Sequence, residues 1–182
     1  MTISTTKTLK VLYVLAWIIF VGVSIEAGGF IFSTIYTLEI NPVNAHRSWP
    51  GLDLSSLYDY DRGYFLAEMV QISLVSVMRA VLFYLIIDIL HNNKLDIARP
   101  FSKNVGRFLF RVSYLSLLIG LFSWFGTKYT EWLVSKGVKL PDLQDLRLGG
   151  ADVWLFMGVT IYVIAQIFKR GIDLQTENEL TV

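Results

Sequence analysis

Cysteine is absent from the 182 residues, which excludes disulfides, iron–sulfur clusters, thiolate zinc sites and thiol nucleophiles and leaves the redox compartment open. Histidine is nearly absent, with His46 and His91 the two present, so imidazole chemistry has almost no carriers. An excess of charge of one sign is missing as well. The net charge is +1, and the cations are spread over several segments, so no face gathers the basic surplus that direct nucleic-acid binding needs. No nucleophile stands beside a base, and there is no phosphate loop and no metal-ligand cluster. Asp53, Asp59 and Asp61 lack calcium-loop spacing. The chain therefore reads as a non-enzyme with no cofactor and no metal.

What is present is apolar length. Apolar residues make up 54% and aromatics 14%, with mean hydropathy +0.52, well above what a water-soluble domain needs. Four runs carry this character, over about 9–38, 64–90, 102–132 and 151–168. At ~1.5 Å per residue the first would reach about 45 Å, longer than a ~30 Å hydrocarbon core, so it must tilt or project. A cleavable signal is the competing reading of Lys7, Lys10 and the apolar stretch after them. Against it, no clean small-residue cleavage site follows, Glu26 sits where one would be wanted, and apolar character resumes at Gly28. Lipid leaves no backbone amide unpaired, so the runs are helices: an all-α integral membrane four-helix bundle, one transmembrane domain over 1–182. Ser102 is the expected N-cap of the third helix. Lys169, Arg170 and Gly171 close the fourth, leaving 169–182 as a tail.

Lysine and arginine weigh more heavily in the short middle loop than in the outer loops, which places both termini in the cytoplasm of a bacterial inner membrane. The first outer loop, from Glu39 to Gly63, is long for a structureless connection and is a candidate binding or capping element. Its Trp49, Tyr58 and Tyr60, with Tyr64, suit a headgroup belt. His46 then lies outside and His91 at the inner edge, too far apart to ligate one haem.

Charges inside the spans need partners or water. Counted from the inner edge, Arg79 lies about 16 Å deep, Glu26 about 22 Å and Glu68 about 33 Å, so Glu68 is expected at the outer interface. Glu26 and Arg79 differ by ~6 Å in depth and are a candidate ion pair, with Gln71 and Gln166 extending the polar network by hydrogen bonds. Such a pair could fix helix register, or line a cavity for a ligand, proton or ion as in a small transporter; either residue could also snorkel separately. Small residues four apart (Ser24 and Gly28, Ser76 and Ala80, Ser116 and Gly120) are where helices could approach closely, within one chain or in a homo-oligomer.

Lys103, Arg107 and Arg111 form one stripe at the inner end of the third helix, joined by Arg99. It suits anionic headgroups, or an acidic partner, of which the chain's own tail with Asp173, Glu177 and Glu179 is one. The segment IARPFSKNVGRFLFRVSY and the ending IFKRGIDLQTENELTV resemble the bacterial membrane proteins grouped as domain-of-unknown-function family 2975. The resemblance rests on Pro100, Phe101 and Ser102, then on Phe168, Lys169, Gly171, Leu174, Glu177, Leu180, Thr181 and Val182. It implies four spans and no established activity. Members are often encoded beside a small helix-turn-helix regulator, which implies a membrane-held partner of a transcription factor. The expected function is regulatory or sensory, through a cytoplasmic partner; the alternative is a transporter or membrane ligand-binding protein using Glu26 and Arg79.

Overall fold

The computed structural model describes residues 5–91 and 102–180. Helix α1 (Thr5–Glu39) leads through a 3-10 turn (Pro42–Arg47) and the short α2 (Ser55–Tyr60) to α3 (Arg62–Leu90); α4 (Lys103–Ser135) and α5 (Ala151–Leu180) follow. Among the described residues, α1, α3, α4 and α5 are long and apolar enough to cross a membrane. Asp61 caps α3 by accepting from the Tyr64 amide, and Ser102 caps α4 by accepting from the Val105 amide. Gly137, at φ 89°, turns the chain out of α4. The fourth helix does not stop at Phe168. Nothing in 169–180 except Gly171 opposes helix, and the expected tail is a continuation of α5.

Packing runs as a row in which α1 lies on α3, α3 on α4 and α4 on α5. The α1 contact is a narrow seam of Ala16, Phe20, Val23, Ala27, Phe30, Thr34 and Thr37, alternately four and three residues apart, and most other positions of that helix are exposed, apart from those near its end that the loops cover, Ser33 among them. On α4 the small and hydroxylated residues fall into two lines with a spacing of seven. One is Gly106, Ser113, Gly120 and Thr127, turned to α5 and the segment before it; the other is Ser116, Ser123 and Thr130. A Cβ at Gly120 would stand 2.9 Å from the Leu155 amide nitrogen, and one at Gly158 would stand 2.9 Å from that of Leu117. The Ser113 hydroxyl donates to the Gly158 carbonyl at 3.0 Å. Backbone contact and a hydrogen bond hold these helices together where burial of apolar surface, already complete in lipid, would not. Gly28, by contrast, meets nothing, so of the two expected small-residue pairs that contain a glycine the one with Gly120 marks a close approach.

Both long loops lie at one end of the bundle. The first is not a loose connection. Asn44 donates to the Ser33 and Thr37 hydroxyls, Leu54 and Leu57 are fully buried, and the Trp49 ring rests on the bare backbone of Gly29, where a Cβ would come within 2.5 Å. Gly29 is thus a landing place for Trp49 in a helix that continues to Glu39. Tyr58 is buried, not in a headgroup belt, while Trp49, Tyr60 and Tyr64 stay exposed. The second loop descends into the bundle. Leu148 packs on Gly126, nine residues or about 13 Å below the end of α4, and the Thr127 hydroxyl donates to the Leu148 carbonyl at 3.3 Å. Because Leu155 lies beside Gly120, α5 begins level with about Trp124, well below the end of its neighbour. The fourth apolar run is short for this reason: the segment before it, anchored by the buried Leu146 and Leu148, occupies the space beside the upper part of α4.

Candidate functional site: a three-charge centre in the bundle

The descending loop brings in a residue that hydropathy assigns to the exterior. Arg147 donates from Nε to Glu26 Oε1 at 2.6 Å. Its neighbours Leu146 and Leu148 are fully buried and hold the segment down, and Arg147 itself adopts φ 60°, the left-handed region that costs a non-glycine residue of order 1 kcal/mol or more. Gly150, at φ 78°, then turns the chain into α5, and its carbonyl receives the Trp154 amide.

Arg79 faces the same centre from α3. Its guanidinium lies over the Trp154 ring at 5.6 Å, its Nε is buried without a hydrogen-bond partner, and both Glu26 and Arg147 are within electrostatic reach. The expected Glu26–Arg79 ion pair is therefore replaced: Glu26 bonds to Arg147, and Arg79 rests on an aromatic face. Two guanidiniums and one carboxylate leave the centre with a formal charge of +1. The Glu26 side chain is 20% exposed and that of Arg147 47%, so the centre is reachable.

Glu68 and Gln71 form a different set of contacts. Glu68 is wholly buried, with the Thr130 hydroxyl donating to Oε1 at 2.7 Å, so it faces α4 and not the headgroups. The Gln71 amide donates to the Phe122 carbonyl. Both stitch α3 to α4. The hydroxyls of Ser76, Ser116 and Ser123 and Glu68 Oε2 are buried without partners, which makes the interior of this bundle polar along more than one helix. Gln166 is exposed on α5 and joins neither set.

At the opposite end the basic stripe divides. Lys103 and Arg107 line a groove of about 330 Å³ with Gly106, Phe110, Lys169, Ile172 and Asp173. Arg107 and Arg111 border a second hollow with Asp88 and Asn104, and Arg107 donates to the Asn104 side chain at 2.8 Å. The tail brings Asp173 into the groove that Lys103 and Arg107 line. It passes alongside as helix, with Ile172 against Gly106 and with Leu174 and Glu177 exposed beyond it; Gly171 is half-buried, and Leu180 closes α5. Arg99, Pro100, Phe101, Thr181 and Val182 lie outside the described residues, as does the Glu179 side chain. Among the described residues no group of three His, Cys, Asp or Glu side chains is placed to hold a metal.

The family model described as "Protein of unknown function (DUF2975)" matches residues 33–182. The chain belongs to the DUF2975 family. Neither the curated proteins nor the solved structures include a match. The DUF2975 stretch takes in Arg79, Arg147, Trp154 and the whole of α5, whereas Glu26 lies ahead of it. Arg147 is the residue that sequence reasoning missed. Its signal was the shortness of the fourth run together with Gly149 and Gly150 just before it, which go with a helix that begins below the end of its neighbour.

Proposed function

We propose that this protein is a regulatory or sensory component of a bacterial cytoplasmic membrane, with both termini and the basic stripe inside, the two long loops outside, and a cytoplasmic protein engaged by the inner end of α5. The observation that carries the reading is the continuity of α5. One helix runs from Trp154, seated under Arg79, to Leu180, past the groove lined by Lys103, Arg107 and Lys169. A displacement at the three-charge centre has a rigid path to the exposed residues Leu174 and Glu177. The orientation is supported by the cations at that end, Lys103, Arg107, Arg111, Lys169 and Arg170.

The partner favoured by the family resemblance is a small helix-turn-helix regulator encoded beside the gene. Co-expression of the two, followed by purification through the membrane protein, tests this: recovery of the regulator should fall at least tenfold when residues 171–182 are deleted. Equal recovery with and without the segment would sink the reading. The transporter alternative gains support from the reachable charges of the centre; it predicts flux in proteoliposomes that Arg79→Gln abolishes.

A further inference from the structure

A carboxylate in a membrane needs one cation to neutralise it. Here Glu26 has Arg147, and Arg79 is a second cation with no carboxylate of its own. The surplus is built in rather than incidental. Arg147 reaches the centre on a strained backbone position clamped between two buried leucines, and Arg79 is braced by Trp154. A guanidinium offers five N–H donors in a planar fork suited to the oxygens of a carboxylate or phosphate, and of the two forks Glu26 takes a single Nε bond. The buried Arg79 Nε, left without an acceptor, is costly until an anion joins it. The centre is reachable from outside, because Arg147 is half exposed and the Glu26 side chain keeps 20% of its surface.

We propose that the Arg79–Glu26–Arg147 centre is a binding site for an oxyanion, a carboxylate or phosphate group, which enters from the loop end and is held by the free donors of the two arginines. Glu26 keeps Arg147 in place before the anion arrives and sets how strongly the site attracts it. Trp154, at the first turn of α5, touches the cation that the anion would contact. The inference deepens the sensory reading by naming the chemistry of the signal, and it rests on that reading only for what binding would transmit.

The test uses the full chain in nanodiscs of zwitterionic lipid, with fluorine-labelled tryptophan and the Trp154 resonance assigned from Trp154→Phe. The probes are inorganic phosphate, dodecyl phosphate and dodecyltrimethylammonium. A saturable shift of the Trp154 resonance is expected with a phosphate probe and not with the cationic amphiphile. Saturation by inorganic phosphate identifies an aqueous oxyanion, and saturation by dodecyl phosphate alone identifies an amphiphile; either supports the site. Arg79→Gln and Arg147→Gln should each weaken the response at least tenfold, while Lys103→Gln at the other end leaves it unchanged. If those variants fail to fold, Arg147→Lys, which keeps the charge and loses the fork, should still weaken binding several-fold. No saturable shift with either phosphate probe, an equal shift with the cation, or full affinity in an arginine variant would overturn the proposal. Anion binding with regulator capture that ignores deletion of 171–182 would count against the sensory reading alone, and the converse against this site alone.

Discussion

Helices α1 and α3 have the same mean hydropathy, 2.1 over their most apolar windows, yet 6% of the α1 window is buried inside the bundle against 33% for α3. The same contrast separates α5 from α4, with hydropathies of 1.7 and 1.6 and burial of 11% and 33%. Hydropathy identifies a span and is silent on what the span faces, because lipid tails are as apolar as leucine. Small and polar residues make the difference. The central helices α3 and α4 meet through Glu68, Thr130 and Gln71, and α4 carries the glycine and serine line that receives α5. The flanking α1 and α5 present Ile18, Ile25, Phe32, Phe156 and Ile167 outward, each more than half exposed. On α4 the buried positions are mostly glycines and hydroxyl residues, whereas α3 buries Phe65, Met69, Ile72 and Val75, so apolar bulk by itself does not mark a position that faces lipid.

The contrast breaks most sharply at glycine. Gly120→Leu should destabilise by about 3 kcal/mol, the upper end of overpacking costs, because the new side chain meets the Leu155 backbone. Gly28→Leu on α1, where nothing lies within 4 Å, should leave unfolding unchanged. Reversible unfolding in mixed micelles compares the two, and similar losses would refute the assignment of α1 to lipid on that face. Next in size is the polar seam. Thr130→Val removes the hydroxyl that donates to Glu68 and should cost about 0.6 kcal/mol and no more than about 1.7, the range for interhelical hydrogen bonds in bilayers. The same assay measures it, and a neutral result would show Glu68 satisfied by other means. Ile18→Ala and Phe156→Ala, on the exposed faces, should each change stability by less than about 0.5 kcal/mol. A larger loss in either would mean that a second protein surface, such as another copy of the chain, covers that face.

The smallest effect lies outside the membrane, in the ordered first loop. Hydrogen bonds from the Ser55 hydroxyl and amide hold the Asp53 carboxyl below its ordinary 3.8, with His46 adding in the same direction. A carboxyl whose value is lowered by folding contributes stability above its ordinary pKa and loses it as the pH falls through the lowered one. Ser55→Ala should therefore move the Asp53 titration, followed by NMR, upward toward 3.8. No movement would show that the loop is not ordered at that turn.

Much of this architecture is legible along the chain. The four apolar helices and the Ser102 cap are local patterns, and both stand where hydropathy and capping chemistry put them. Depth counting brought Glu26 and Arg79 to similar levels, but the carboxylate bonds to Arg147 and the Arg79 guanidinium lies over Trp154. It could not supply the third member, since Arg147 belongs to a segment that periodicity treats as exterior. Height in the bilayer also says nothing about which way a helix turns its side chains, so it was the packing that placed Glu68 against Thr130 of α4. The end of α5 was set too early because a run of polar residues reads as a tail, although such residues are good helix formers once a preceding span nucleates them.

By itself, the sequence determined the four helices that, among the described residues, are long and apolar enough to cross a membrane, because in lipid a helix must satisfy its own backbone and its hydropathy is a local sum. It also determined membership of the DUF2975 family. The tertiary structure alone decided which helices lie in the middle of the row, and that Glu26 bonds to an arginine 121 residues away. That bond depends on Leu146 and Leu148 finding buried sites, one of them on the bare backbone of Gly126, and on the left-handed turn at Arg147 that they hold. Contacts between distant segments, each weak and all required together, are not written in the periodicity of any one of them.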